Sequence, residues 1–194
     1  MAEKISHTQY GDAPLSTAHN VDDDGINAEG LEAHSGDRLV SRSITINAPR
    51  QALYEFWRDL RNLPRFMENI RSISVSDNNR SHWVVDAPGG RQIEWDSMLI
   101  DDQPGSLLAW ESAEGASVRN NGRIEFKDST NGRGTVVTAT IVYDPPAGNI
   151  GRMVAKLFEK EPQIQVRRDL RRFKQLMETG EVATSSPPNP QPKA

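Results

Sequence analysis

Between residues 39 and 46 the side chains alternate in kind. Val40, Arg42, Ile44 and Ile46 fall on one face, and Leu39, Ser41, Ser43 and Thr45 on the other. A period of two predicts a half-buried strand. Asn47-Ala48-Pro49 stops it and opens a helix with Pro49 in the first helical position, where a missing N–H does no harm. Leu53, Phe56, Trp57 and Leu60 then recur at helical spacing, predicting a short amphipathic helix. Pro64 breaks the pattern, and Arg65-Phe66-Met67 supplies one more short helical turn.

From Ile70 to Tyr143 the texture changes. Ile70–Val75, His82–Ala87, Ile93–Ile100, Leu107–Glu111 and Thr135–Tyr143 read as strands. Turn material such as Asp77-Asn78-Asn79, Pro88-Gly89-Gly90 and Asn131-Gly132-Arg133-Gly134 separates them. Ser117–Lys127 reads as one long strand bulged at Gly122, although Asn121-Gly122 is also a hairpin signal. Connections this short predict antiparallel neighbours. After Pro145-Pro146 the helical period returns with Ile150, Met153, Val154, Leu157 and Phe158. Pro162 kinks or restarts that helix; Val166, Leu170, Phe173 and Met177 continue it, and Gly180 ends it. The order predicts an α+β fold: a bent antiparallel sheet of about seven strands wrapped around a long C-terminal helix, with two short helices after the first strand.

Charge divides the chain into three parts. Residues 1–37 hold eight acidic side chains against Lys4, residues 38–180 hold 21 basic and 18 acidic ones, and the last 14 balance. The acidic arm has Tyr10 as its one aromatic and few branched aliphatics, and the end of the chain is proline-rich. Neither stretch buries enough surface to offset its ordering entropy. The expected organisation is a disordered acidic arm at 1–37, a working domain at 38–180 and a disordered tail at 181–194. No apolar run approaches the ~18 residues of a membrane span. Cysteine is absent, which removes disulfides, thiolate nucleophiles and Cys-based metal sites. Without an apolar leader at Met1 to Leu15, the expected location is the cytoplasm.

Ala48-Pro49-Arg50-Gln51-Ala52-Leu53-Tyr54-Glu55-Phe56-Trp57-Arg58-Asp59-Leu60, followed by Leu63-Pro64-Arg65-Phe66-Met67, resembles the opening of START-like (SRPBCC) domains. The nearest branch is the polyketide cyclase/dehydrase group with its coenzyme-Q-binding START-like relatives. Ile93-Glu94-Trp95-Asp96, Leu108-Ala109-Trp110, Gly122-Arg123-Ile124-Glu125-Phe126 and Asp169-Leu170-Arg171-Arg172-Phe173-Lys174 resemble the same branch. The resemblance implies a helix-grip fold with an internal cavity between sheet and long helix. It specifies fold more than activity, because such domains include lipid carriers, quinone binders and aromatase/cyclases.

Four tryptophans in a chain with 6% aromatics are the most informative chemical feature. Trp83, Trp95 and Trp110 each fall on an apolar strand face, opposite Met153, Val154 and Leu157 of the last helix. With Trp57 and Phe66 they are the expected cavity wall, where apolar burial supplies affinity and indole N–H groups serve as sparse donors. His82 with Asp86, and Glu94 with Asp96, read as outer-face residues rather than catalytic pairs. Arg123 and Tyr143 are the candidates for polarising a ligand carbonyl. His7, His19 and His34 are too widely spaced for a helical ligand pair, no phosphate-cradling loop occurs, and no metal or cofactor is expected. Arg167-Arg168, Arg171-Arg172 and Lys174 suit a solvated face, an acidic partner, the acidic arm, or anionic headgroups in peripheral membrane contact. Nucleic acid is not an expected partner, because the domain carries little net charge.

The leading expectation is therefore binding of a hydrophobic small molecule, such as a lipid, quinone or polyketide-like compound, without chemistry of the domain's own. The alternative is a polyketide aromatase/cyclase or dehydratase. A second alternative is an interaction or stress accessory protein working through the acidic arm.

Overall fold

The structure, a computed structural model, describes residue 31 and residues 38–77, 79–87, 90–130, 132–143 and 162–183. Strand β1 (Arg38–Ile46) leads into α1 (Arg50–Arg58) and a 3-10 helix (Leu60–Arg65). Six strands follow: β2 (Ile70–Val75), β3 (Arg80–Ala87), β4 (Arg91–Gln103), β5 (Leu107–Ser112), β6 (Asn120–Asp128) and β7 (Thr135–Tyr143). Helix α2 (Pro162–Thr179) closes the described fold.

All seven strands form one antiparallel sheet in the order β1-β7-β6-β5-β4-β3-β2. Strands β1 and β2 are consecutive in sequence yet occupy opposite edges. The stretch between them, α1 and the 3-10 helix, must therefore cross one face of the sheet, and α2 packs along β1 on that same apolar side. This is the bent sheet and C-terminal helix of a helix-grip fold.

The sheet's inner face carries Ile44, Ile46, Val137, Ala139, Ile124 and Phe126, at alternate positions of β1, β7 and β6. Above them Trp57, Phe66 and Phe173 meet with ring centroids 4.9–5.2 Å apart, uniting α1, the exit of the 3-10 helix and α2. Each such ring contributes roughly 2–3 kcal/mol by leaving water. Polar ties fix α2 at both flanks. Lys174 Nζ donates to Thr45 O at 2.8 Å, and the Asn47 N–H donates to Glu178 Oε1 at 2.7 Å. Arg172 Nε donates to Phe66 O at 2.9 Å, while its Nη1 pairs with Glu68. A separate small cluster buries Leu31 with Leu39 and Val142.

Several local expectations need correction. Pro49 is the residue before α1 rather than its first, with extended ψ of 138°, and the helix opens at Arg50. The second short helix covers Leu60–Arg65 instead of 65–67, because the Asp59 carboxylate accepts the Arg61 N–H and caps it early. Strand β6 starts at Asn120, and its register runs unbroken through Gly122, so there is no bulge there. The register shifts instead at Leu99/Asp101 and at Ile70/Ser72. Pro162 sits in the first turn of α2, where it is tolerated. The predicted helical stretch 150–161 lies outside the described residues, as do the arm (residue 31 apart) and the tail from 184 onward.

Candidate functional site

Among the described residues, two cavities are found between the inner face of the sheet and the helices. The larger, about 690 Å³, is bounded by Tyr54, Trp57 and Arg58 of α1 and by Leu99, Leu108 and Trp110 of the sheet. The smaller, about 160 Å³, lies under α2 between Val85, Ile93, Trp95 and Ile141 on the sheet side and Val166 and Asp169 on the helix. Trp83, Ser97 and Trp110 line both. The crossing stretch after β1 and the helix after β7 thus each stand off the sheet enough to leave space beneath them.

Strand pairing sets the indoles. Trp83 and Trp95 are direct partners on β3 and β4, their rings stacked with centroids 6.0 Å apart and planes 12° from parallel. The Trp83 N–H donates to Ser81 Oγ at 2.9 Å, so this indole is an apolar wall with its donor already engaged. Trp95 and Trp110 make no hydrogen bond among the described residues, which leaves their N–H groups as donors. Trp110 pairs with Gly122, whose α-carbon it covers: a β-carbon there would stand 2.6 Å from Trp110 Cζ2 and 2.7 Å from Thr140 O. That contact is why β6 holds glycine at this place.

The small cavity is largely apolar, with a few polar side chains in its wall. Besides Ser97, these are Gln165, Asn120, Asn69, Tyr143 and Asp169. Gln165 Nε2 donates to Asp169 Oδ1 at 2.9 Å, one turn along α2. Burial pushes the Asp169 carboxyl up to about 7, and the charge of Glu68 adds to the effect; Gln165, Arg172 and Arg168 oppose it. A carboxyl balanced at this point can donate or accept a hydrogen bond within an otherwise greasy space. At the large cavity, Tyr54 donates its hydroxyl proton to Asp102 Oδ1, and Arg58 Nε donates to Asp102 Oδ2 at 2.6 Å. Burial and the Asp102 carboxylate push the Tyr54 phenol up to about 12, so it remains an un-ionised donor.

The structure brings Trp57, Trp83, Trp95, Trp110 and Tyr143 to the cavity walls. It places Phe66 elsewhere: this ring is fully buried among Trp57, Phe56 and Phe173 and lines neither space, because Phe173 of α2 packs over it. Arg123 is also displaced from the expected role. Gly122, Ile124 and Phe126 turn inward on β6, so Arg123 turns outward, its Nε 3.5 Å from Glu125 Oε2. Met153, Val154 and Leu157 lie outside the described residues. His82 is on the outer face but pairs with Asp96 at 2.9 Å and with Glu94 at 3.6 Å, across the β3–β4 register; Asp86 pairs with Arg71 instead. Among the described residues no His, Cys, Asp and Glu side chains cluster as a metal site.

Asp169 is the functional candidate that sequence reasoning missed. Its signal was present: Asp169 stands at i+3 from Val166 and i−4 from Phe173, an acid inside the apolar stripe of α2.

A curved antiparallel sheet gripping a C-terminal helix is the fold of a START-like (SRPBCC) domain. The family described as polyketide cyclase/dehydrase and lipid transport matches residues 38–178, and the chain belongs to it. A solved Deinococcus radiodurans structure is 37% identical, with a TM-score of 0.60, covering 73% of this chain and 98% of that one. A Thermus thermophilus structure is 26% identical, with a TM-score of 0.57, covering 71% and 94%. The Zhui aromatase/cyclase of a Streptomyces species, strain R1128, shares the fold at 15% identity and a TM-score of 0.58, covering 76% and 99%. No curated protein matches the chain. None of the described helices is long and apolar enough to cross a membrane.

Proposed function

We propose that this chain binds a hydrophobic small molecule, of lipid, quinone or polyketide-like chemistry, between its sheet and helices. The observation that carries the reading is the pair of adjoining spaces, about 690 and 160 Å³, sharing Trp83 and Trp110 as walls. The larger falls in the range of ~300–1,000 Å³ typical of small-molecule sites. Burial of apolar ligand surface against indoles supplies the affinity, and Trp95, Trp110 and Asp169 supply sparse polar contacts that orient the guest.

Native mass spectrometry of the full chain purified from its own host tests this. A bound molecule that organic extraction removes is the expected result. A chain with no adduct, whose tryptophan emission also stays unchanged on titration with decylubiquinone, oleate and 2-acetonaphthone, overturns it.

A second reading, an aromatase/cyclase or dehydratase, draws on Asp169. A carboxyl near its midpoint at neutral pH, walled by apolar side chains, is suited to passing a proton to and from a ketone oxygen. Acceleration of ring closure of a reactive poly-ketone by the parent chain, lost in Asp169→Asn with binding retained, distinguishes catalyst from carrier.

A further inference from the structure

We propose that Trp110, seated on Gly122, is a sill between the two cavities that limits what enters the smaller one to a single six-membered ring or a short chain segment. The ligand class is then a two-part molecule: an apolar body in the large cavity, and a slim terminal group in the small one. This proposal rests on reading the cavities as ligand space.

Three observations carry it. Trp110 lines both cavities, so the position of its indole sets the passage between them. That position is fixed from behind, because the indole takes up the volume that a β-carbon at residue 122 would need. Glycine therefore lets the ring retreat against the sheet, while any larger residue drives it forward into the passage. Lastly, about 160 Å³ is close to the apolar cavity of about 150 Å³ that admits one benzene in another protein. A fused two-ring group would have to pack there more densely than the ~0.75 of protein interiors.

The other two residues that line both cavities are tied within the sheet by hydrogen bonds. Trp83 is held by its bond to Ser81 and by stacking on Trp95. Ser97 is tied to Glu111 O at 2.8 Å.

Three naphthalene probes test the sill by equilibrium titration of tryptophan emission: 2-methoxynaphthalene, which is body alone; 2-(benzyloxy)naphthalene, ending in one ring; and 2-(1-naphthylmethoxy)naphthalene, ending in two. The parent chain is expected to bind the one-ring ether at least about tenfold tighter than the two-ring ether. Trp110→Ala joins the spaces and brings that preference to within about twofold. Gly122→Ala weakens the one-ring ether at least about fivefold more than it weakens 2-methoxynaphthalene, because Trp110 also walls the large cavity. Because Gly122→Ala also presses on the Thr140 carbonyl, its far-ultraviolet circular dichroism and melting are read alongside; if it does not fold, the Trp110→Ala result decides. Equal parent affinity for both ethers, or a preference that survives Trp110→Ala, overturns the sill while 2-methoxynaphthalene binding leaves the cavity reading standing. Failure of all three probes to bind the parent overturns the sill and counts against the cavity reading as well.

Discussion

Gln165 and Asp169 face the small cavity one turn apart on α2, joined by an amide-to-carboxylate hydrogen bond of 2.9 Å. The arrangement has a consequence for stability. Folded, the Asp169 carboxyl holds its proton up to about pH 7; in the unfolded chain it releases it near the ordinary carboxylate value of about 4. The native state therefore binds more protons between those limits, and stability falls as pH rises through that window, then levels above it. Glu68, Arg168 and Arg172 are the charged groups that act on it, with burial the largest influence. Asp169→Asn keeps the shape and an acceptor for Gln165 but has no proton to lose. It is expected to be more stable than the parent by roughly 1–3 kcal/mol near pH 8 and equal to it near pH 4. Urea unfolding at the two pH values checks this; an equal effect at both excludes the buried-charge explanation.

Asp102 joins α1 to the far end of β4, receiving the Tyr54 hydroxyl and the Arg58 guanidinium on its two oxygens. Removing it strands a buried phenol. Asp102→Ala should cost about 1–3 kcal/mol, and Tyr54→Phe about 1 kcal/mol, since the latter removes one hydrogen-bonding group without burying an unsatisfied one. The double variant should fall well short of the sum, because the two changes delete one shared bond. Denaturant midpoints for the four proteins give the coupling directly. Strict additivity would mean the bond contributes nothing.

The outward position of Arg123 separates two explanations of any ligand chemistry. Arg123→Ala should leave probe affinity unchanged, whereas Tyr143→Phe, in the wall of the small cavity, should weaken a ketone probe such as 2-acetonaphthone about three- to tenfold. Titration of both variants with that probe is sufficient. A loss at Arg123 with intact folding would place the binding site on the wrong face of the sheet.

These contrasts also show what the sequence discloses. The strands were legible because a sheet with one buried face imposes a period of two, as in Leu108–Trp110 and Ile93–Trp95. The same parity holds in β6, where Ile124 and Phe126 turn inward and force Arg123 out. Asp169 was legible in the same sense, as an acid within an apolar stripe. Phe66 was not. Its burial depends on Phe173, over a hundred residues later, closing on it from α2. Nor is a void written in any local pattern: its size follows from how far α1 and α2 stand off the sheet, which long-range ties such as Arg172 to Phe66 and Lys174 to Thr45 decide.

Two glycines in the turn between β6 and β7 offer a final test of how closely that turn packs against the start of the crossing stretch. Gly132 and Gly134 both have positive φ, of 64° and 90°. A β-carbon at Gly132 meets nothing within 4 Å, whereas at Gly134 it would stand 2.1 Å from Ile46 O and 2.7 Å from the Asn47 α-carbon. Both positions strain an L-residue, which costs on the order of 1 kcal/mol. Only Gly134 adds a backbone collision, at the point where β1 turns toward α1 and where Thr135 Oγ1 donates to Ala48 O at 2.8 Å. Gly132→Ala should therefore lose about 1 kcal/mol, and Gly134→Ala at least twice as much. Since the collision displaces the entry to α1, Gly134→Ala should also weaken binding of 2-methoxynaphthalene in the large cavity, while Gly132→Ala should not. Thermal melts together with that titration decide it: equal losses in the two variants would mean that backbone conformation alone, and not the seat of α1 on the sheet, sets the requirement for glycine.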